Sequence, residues 1–270
     1  MYIFVSASLA DVYIGKPCRE TLPSQVLMEM VIDGIKNKDR IRGLAEEADF
    51  TKWCGVSLRD GTDDIQSTYW NCLQLEGTLR MEWLPPNIDE FSVFQNFLSG
   101  EIHTESLPRS LVHLLLQGNE FQGTLDLAQL PPKMTFLSVS QNSLHGSLDL
   151  IHLPETLESL FAYSNSFSGT IRLDNLPSKM KRLNLHENSL SGPLSMDSLP
   201  ESLQKLYLQK NCFSGKMVLG DLPKDVLVID VSFNENLMGD ICLTEDKKEA
   251  VLIDSTGIKT TVKPLNQPAQ

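Results

Sequence analysis

The sequence predicts an α/β repeat solenoid that is mostly β, in which one short unit is stacked about seven times. Three features predict it: a Leu-Pro pair, an asparagine and a glycine recur every 23 residues and stay in phase, apart from a one-residue slip at the last glycine. A unit of this length cannot bury its apolar side alone, so neighbouring units must stack to close a core. The Leu-Pro pairs begin at Leu84, Leu107, Leu130, Leu153, Leu176, Leu199 and Leu222.

The composition limits the classes of partner. With 35 acidic against 23 basic residues the formal net charge is -12, whereas phosphate backbones are bound by clustered Lys and Arg. Nucleic acid is therefore not an expected partner. No run of roughly 20 apolar residues is present, which is the length that a membrane-spanning helix needs, so membrane insertion is not expected.

The residues before the repeats are predicted as two parts. Residues 1–21 form an extension or a leader: the opening is apolar up to Ala10, but no basic region precedes the apolar part. Residues 22–75 are predicted as a helical cap, because the apolar residues from Leu22 to Leu44 fall largely at helical spacing. Terminal units of a repeat array need such a cover.

Within the repeats, residues 76–241, apolar positions alternate in a short Φ-x-Φ segment, where Φ is an apolar residue. Leu206 and Leu208 form this segment in the unit that begins at Leu199. Alternation predicts a short strand with one inward face, and stacked units place these strands side by side in a parallel sheet. A second Φ-x-Φ segment after the phased glycines predicts another short strand on the flank, so α-helices are not expected on the return path.

The phased asparagine is predicted to be structural. It follows the strand at a bend, where its amide can satisfy backbone groups that the turn leaves unpaired. We therefore expect a ladder of asparagine side chains along the solenoid. The ladder consists of Asn96, Asn119, Asn142, Asn165, Asn188, Asn211 and Asn234.

The complete unit, Leu-Pro-x-x-Φ-x-x-Φ-x-Φ-x-x-Asn-x-Φ-x-Gly, resembles the leucine-rich repeat, and the resemblance covers residues 75–241. The segment Asn-Ser-Phe-Ser-Gly-Thr-Ile at 165–171 is similar to the plant-type class, whereas the Leu-Pro start is similar to repeats of protist proteins, such as those of kinetoplastids. The resemblance implies a curved, right-handed solenoid whose parallel sheet lines the concave side.

The cap region is similar to the cap that precedes plant-type repeats, through the Trp-x-Gly-Val segment at 53–56. That cap carries a disulfide, but Leu58 stands where its second cysteine would be. Cys54 is therefore either free or paired with Cys72, and buried thiols are the plainer alternative. Five cysteines with no CxxC pair predict neither a zinc site nor a full disulfide framework, and they suit a reducing compartment.

Residues 242–270 are predicted as a C-terminal cap and tail. Residues 250–253 and 258–262 are largely apolar or β-branched, and residues 254–257 between them have the composition of a turn. We expect these segments to form a β-hairpin that closes the far edge of the solenoid.

The outward-facing residues of the concave strands lie six, four and two positions before each phased asparagine. Over residues 136–209 these positions combine aromatic rings with positive charge, a composition enriched at binding hot spots. On a chain of net charge -12 this patch predicts a partner protein with an acidic surface or segment. The alternative is a solvated face whose rings pack on one another. The predicted partner-binding residues are Phe136, Phe161, Tyr163, Arg182, Asn184, His186, Lys205, Tyr207 and Gln209.

No catalytic constellation is predicted. The five histidines stand at different repeat positions with no nucleophile or acid at a defined spacing, and no basic group at a defined spacing activates Cys212. The repeated glycines are isolated rather than grouped in a phosphate-binding loop. We therefore expect no enzyme activity, no cofactor and no metal site.

The sequence favours a non-catalytic scaffold or adaptor that recognises a partner protein on the concave face, because a rigid curved surface presents many side chains without an ordering cost. A cytoplasmic or other intracellular location is favoured over a secreted one. Two alternatives stay open: a secreted or cell-surface recognition module of receptor type, and the substrate-recognition part of a larger enzyme assembly. The identity of the partner does not follow from the fold.

Overall fold

A computed structural model describes residues 19–43 and 49–263, so most of the predicted leader, Cys18, Leu44 and the last seven residues lie outside the described residues. The described α-helices are α1 (Ser24–Val31) and α2 (Asp39–Arg42). Short 3₁₀ helices lie at Arg19–Thr21, Phe50–Lys52, Met81–Trp83, Thr104–Ser106 and Leu127–Gln129.

Most of the regular structure is short strands. In chain order they are β1 (Val56–Leu58), β2 (Ile65–Tyr69), β3 (Glu76–Thr78), β4 (Glu90–Ser92), β5 (Phe97–Glu101), β6 (His113–Leu115), β7 (Glu120–Gly123), β8 (Phe136–Ser138), β9 (Ser143–Gly146), β10 (Ser159–Phe161), β11 (Ser166–Gly169), β12 (Arg182–Asn184), β13 (Ser189–Gly192), β14 (Ser195–Met196), β15 (Lys205–Tyr207), β16 (Cys212–Lys216), β17 (Val218–Leu219), β18 (Val228–Asp230), β19 (Asn236–Thr244), β20 (Val251–Leu252) and β21 (Gly257–Lys263).

The strands are arranged as a solenoid with two long sheets. The concave sheet has the order β1-β2-β4-β6-β8-β10-β12-β15-β18-β20, and the flank sheet has the order β3-β5-β7-β9-β11-β13-β16-β19-β21. Strands β14 and β17 form a separate two-stranded sheet. All neighbours in the concave sheet are parallel except the β1–β2 pair. The predicted mostly β solenoid with a parallel concave sheet and short flank strands is confirmed.

The register of the concave sheet follows the sequence period. Leu160 lies opposite Leu183, and Leu183 lies opposite Leu206, so residues 23 positions apart are neighbours across the sheet. All three of these leucines are completely buried. Residues 76–241, all of them described, contain no α-helix. The only helical turns on the return path of these units are short 3₁₀ helices.

The core is one continuous cluster that runs from the N-terminal cap to the last coil. Helix α1 buries Leu27, Met28 and Val31 against the first coils, as a cover for the open end of a repeat array must. Trp70 then packs edge-on against Phe91, with ring centroids 5.8 Å apart. The cap therefore shares its apolar core with the repeats.

The cap is not entirely helical, although residues 22–75 were predicted as a helical cap. Strands β1 and β2 also lie in this region, and β2 is already a member of the concave sheet. The sequence pattern did not reveal β2 as a concave strand, because Thr68 takes the inward position that Phe91 occupies on the next strand. The alternation of apolar residues is therefore absent from β2. Thr68 is fully buried, and its hydroxyl has no hydrogen-bond partner among the described residues.

The asparagine ladder has one geometry at all seven positions. At Asn165 the side-chain Nδ2 donates to the carbonyl of Val139 at 3.0 Å and to that of Ala162 at 3.3 Å. Its Oδ1 accepts from the backbone N–H of Leu144 at 3.0 Å. Each amide thus joins the bend of its own unit to both strands of the preceding unit.

The C-terminal hairpin prediction is wrong, because the two segments do not pair with each other. Strand β20 pairs in parallel with β18 in the concave sheet, and β21 pairs in parallel with β19 in the flank sheet. The segments form one further coil of the solenoid, which covers the open edge that β18 and β19 would otherwise leave. Thr256 stands where the ladder asparagine would be, and its bonds stay within its own coil: its hydroxyl donates to the carbonyl of Ile253 at 2.7 Å and accepts from the N–H of Ile258 at 3.3 Å.

The cysteines of the described chain are neither paired nor buried. Cys54, Cys72, Cys212 and Cys242 are free and exposed. A Cys54–Cys72 disulfide is therefore not formed, and the expectation of buried thiols is also wrong. Cys54 and Cys72 both lie in turns, and their side chains are exposed to solvent.

Replacing Asn165 by Leu should lower the free energy of unfolding by about 1 to 3 kcal/mol, because four backbone groups, three carbonyls and one N–H, lose a partner. Urea denaturation would measure the loss. Asn175→Leu is the matched control, because Asn175 is exposed in a turn of the return path. Equal midpoints for the two variants would contradict a structural role for the ladder.

The substitution Val251→Asp should destabilise the last coil by at least about 2 kcal/mol, because it places a carboxylate where the side chain is buried on β20. Leu252→Asp, one residue along the strand, should have little effect because Leu252 is exposed. Thermal unfolding of the two variants would test the coil. Equal melting temperatures would contradict a parallel strand at this edge.

Candidate partner-binding face

All nine predicted partner-binding residues lie on β8, β10, β12 and β15 of the concave sheet or in the two residues that follow these strands. We call this set the concave patch. The sheet register sets Phe136 beside Ser159, Arg182 beside Lys205, and Asn184 between Phe161 and Tyr207. Arg182 is exposed, Asn184 is buried, and the other seven side chains are half-buried.

Aromatic rings cross the strands at the centre of the patch. Phe136 and Phe161 lie with ring centroids 5.4 Å apart, and His113 on the neighbouring strand packs edge-on against Phe136. Tyr163 and His186 are stacked almost parallel, at 4.5 Å and 8°. Contacts of this kind add about 0.5 to 1.5 kcal/mol beyond the area that they bury. The rings therefore hold one another in fixed positions.

Burial disfavours the charged form of His186. Burial lowers the pKa of His186, which is the largest influence on its ring. Its Nδ1 donates to Oδ1 of Asn184 at 2.6 Å, so the side chain of Asn184 positions the ring that stacks on Tyr163. The predicted patch thus gains its positive charge from Arg182 and Lys205 rather than from histidine.

The side chains of Arg182 and Lys205 have no hydrogen-bond or ion-pair partner within residues 19–43 and 49–263. Nearby acids are already engaged: Glu158 pairs with Lys181 at 2.7 Å, and Glu187 pairs with Lys210 at 2.5 Å. The ion pair with Lys210 lowers the pKa of the Glu187 carboxyl. The two cations of the patch therefore face solvent with no compensating charge beside them.

The N-terminal end of the same face has the opposite character. Glu90 accepts a hydrogen bond from the hydroxyl of Tyr69 and lies 3.1 Å from Nδ1 of His113. The bond to Glu90 raises the pKa of Tyr69. The charge of the concave sheet therefore changes from its N-terminal to its C-terminal strands. The hydrogen-bonded carboxylate of Glu90 comes first, the aromatic rings follow, and the side chains of Arg182 and Lys205 come next.

An open depression of about 470 Å³ lies among the aromatic residues of the patch. Five predicted residues line it, together with Gln117 and Ser138, which the sequence interpretation left out. Both omitted residues stand at outward positions on β6 and β8 or just beyond, so the same spacing rule could have found them.

Unpaired polar atoms occur at the position two residues before the phased asparagine. Oε1 of Gln117 and Oε1 of Gln209 have no hydrogen-bond partner in the described part of the chain, and neither has the hydroxyl of Ser140. Gln117 and Gln209 flank the Tyr163–His186 stack on the sheet. These side-chain oxygens are shielded from solvent, and unsatisfied buried polar groups are uncommon in folded proteins.

The described residues show no metal site, no membrane-spanning helix and no catalytic pair on the concave patch. They contain no group of three or more His, Cys, Asp or Glu that could hold a metal ion. None of their helices is both long enough and apolar enough to cross a bilayer. On the concave patch, the ring of His186 is hydrogen-bonded to the side-chain amide of Asn184 and not to a nucleophile of the described residues.

No protein-family model matches the chain, and no curated protein matches it. Solved structures do. The PEPR1–AtPEP1 complex matches with a TM-score of 0.59 and 19% identity, over 88% of this chain and 41% of that chain. A plant ice-binding protein matches with a TM-score of 0.56 and 16% identity, over 91% of this chain and 88% of that chain.

A third match is the leucine-rich-repeat ectodomain of the plant membrane receptor kinase GASSHO1/SCHENGEN3 from Arabidopsis thaliana in complex with CASPARIAN STRIP INTEGRITY FACTOR 2. The TM-score is 0.53 at 18% identity, over 86% of this chain and 35% of that chain. At such identities the likeness concerns the fold alone, and the similarity to protist repeats stays a prediction. With its stacked units, concave sheet and flank sheet, this chain has the solenoid fold of the leucine-rich-repeat structures that it matches.

Proposed function

We propose that this chain is a non-catalytic binding module, a scaffold or adaptor that holds a partner protein against the concave patch. The observation that carries the proposal is the combination, on consecutive parallel strands, of an aromatic cluster and two cations without partners. Aromatic residues and arginine are enriched at the centres of protein interfaces. The acidic chain as a whole makes the two exposed cations a local exception, which favours an acidic partner surface.

The rigidity of the patch also supports a binding role. Strands β10, β12 and β15 are hydrogen-bonded on both sides within the concave sheet, so their side chains start from fixed positions. Ordering a flexible side chain on binding costs about 0.5 to 1.5 kcal/mol. The stacked rings and the Asn184–His186 bond meet part of this cost before a partner arrives.

The solved neighbours agree with a binding role. PEPR1 is in complex with AtPEP1, and the GASSHO1/SCHENGEN3 ectodomain is in complex with CASPARIAN STRIP INTEGRITY FACTOR 2. Because the identities lie below 20%, these complexes support the type of role and not the identity of the partner.

For its location we propose first the inside of the cell, where the chain would act as an adaptor, because the four described cysteines are free and exposed. The receptor ectodomain among the neighbours supports the alternative of a secreted or cell-surface recognition module. Substrate recognition within a larger enzyme assembly is a third role that the same face would serve. In all three roles the concave patch binds and does not catalyse.

A photo-crosslinking amino acid in place of Tyr207 should capture the partner from native extract, because this position lies within the concave patch. The same amino acid in place of Ser168, which is exposed on the flank sheet, is the control. We expect the adduct at Tyr207 and none at Ser168, detected by mass spectrometry of the crosslinked product. An adduct at Ser168 alone would place the interface on the flank.

Replacing Arg182 and Tyr207 together by Ala should weaken binding of the captured partner at least about tenfold, which corresponds to about 1.4 kcal/mol. The melting temperature should not fall, because neither side chain belongs to the buried core. Lys179→Ala with Val218→Ala is the control, since it removes an exposed cation and an exposed apolar side chain elsewhere. Equal affinity of the two double variants, measured by calorimetry, would exclude the patch.

A further inference from the structure

We infer that the concave patch recognises an extended peptide segment with an acidic side chain and an apolar side chain three or four residues apart. This inference rests on the proposed function and specifies the chemistry of the partner. The acid binds Arg182 and Lys205, and the apolar side chain enters the depression around Phe161.

The two cations provide the first step. Arg182 and Lys205 are direct neighbours across β12 and β15, and like charges in that arrangement destabilise a sheet. An intramolecular acid would relieve the repulsion, but Glu158 and Glu187 are paired with other lysines. Asp230 lies on the next strand in the Tyr207 row, and its Oδ1 accepts from the N–H of Ser232. A carboxylate placed between the two cations by a partner gains both attractions at once.

The depression provides the second step. Four rings line it, those of Phe136, Phe161, Tyr163 and His186, and the other lining side chains are amides and a hydroxyl. Burial lowers the pKa of His186, which disfavours a charge on its ring. A depression of about 470 Å³ has room for a leucine or phenylalanine side chain. A charged side chain there would lose water with no opposite charge to meet, because Arg182 and Lys205 are not among its lining residues.

The sheet geometry relates these two subsites. The depression is centred on β10, about one and a half strands from the midpoint between Arg182 and Lys205, or about 7 Å at the usual strand spacing. It also lies about three residues further along the strand direction, which adds about 10 Å. The resulting separation of about 12 Å equals three or four residues of an extended chain at about 3.3 Å per residue.

The distance between the two subsites favours an extended segment. An extended chain advances about 3.3 Å per residue, whereas a helix advances about 1.5 Å. A helical segment would need about eight residues to reach from the two cations to the depression. A spacing of three or four residues therefore belongs to an extended chain.

The test is selection from a library of random peptides displayed between two carrier segments, so that neither peptide terminus is free. We expect wild-type protein to enrich sequences with an acidic and an apolar residue three or four positions apart. Selection on Arg182→Ala/Lys205→Ala should retain the apolar residue and lose the acid. Lys133→Ala/Lys179→Ala removes the same charge from exposed turns and should select the wild-type pattern.

An enriched peptide should also bind the Arg182→Ala/Lys205→Ala variant at least about tenfold more weakly than wild type, and its Asp→Asn form should show the same loss on wild type. Enrichment of peptides without the acid, or without the fixed spacing, would overturn this inference and leave the proposed function standing. Enriched peptides that bind the Phe161→Ala and Arg182→Ala/Lys205→Ala variants as tightly as wild type would overturn both. Failure to enrich any peptide from a library that samples the motif would overturn the inference, while the crosslink at Tyr207 still decides the proposed function.

Discussion

The stacking of this protein depends on one hydrogen-bond pattern that seven asparagines repeat. Each amide accepts from a backbone N–H and donates to backbone carbonyls of its own and the preceding unit, as Asn188 does toward Phe167, Ala162 and Leu185. The residue just before the asparagine must adopt a positive φ, such as 54° at Glu187. That conformation costs a non-glycine residue roughly 1 to 2 kcal/mol, so the turn persists because the amide bonds and the packed core hold it.

The same constraint creates the concave patch. A ladder spaced by 23 residues keeps every concave strand in one register, so outward residues of successive units become neighbours in straight rows. Side chains far apart in sequence, such as Phe136 and Phe161, then meet at contact distance. The chemistry of the face is therefore set by three positions per unit, and those positions can change without disturbing the apolar residues on the opposite side of the strand.

The sequence was informative wherever the period was intact. It predicted the parallel concave sheet and the flank strands, and its outward positions coincide with the patch. It failed at the two ends, where Thr68 replaces an inward apolar residue and Thr256 replaces a ladder asparagine. Both substitutions keep the backbone path while removing the residue type by which a unit is recognised. The free state of Arg182 and Lys205 could not be predicted, because it depends on which acids pair with Lys181 and Lys210 instead.

The unequal lengths of the flank pairings have a mechanical consequence. In the middle of the array, β9, β11 and β13 meet through two residue pairs at each joint, whereas β19 and β21 share seven at the C-terminal end. Linear arrays ordinarily peel open from their last unit, since that unit has one neighbour instead of two. Here the long pairing holds the terminal coil, so under tension along the axis we expect the joints of the interior to open before the terminal one.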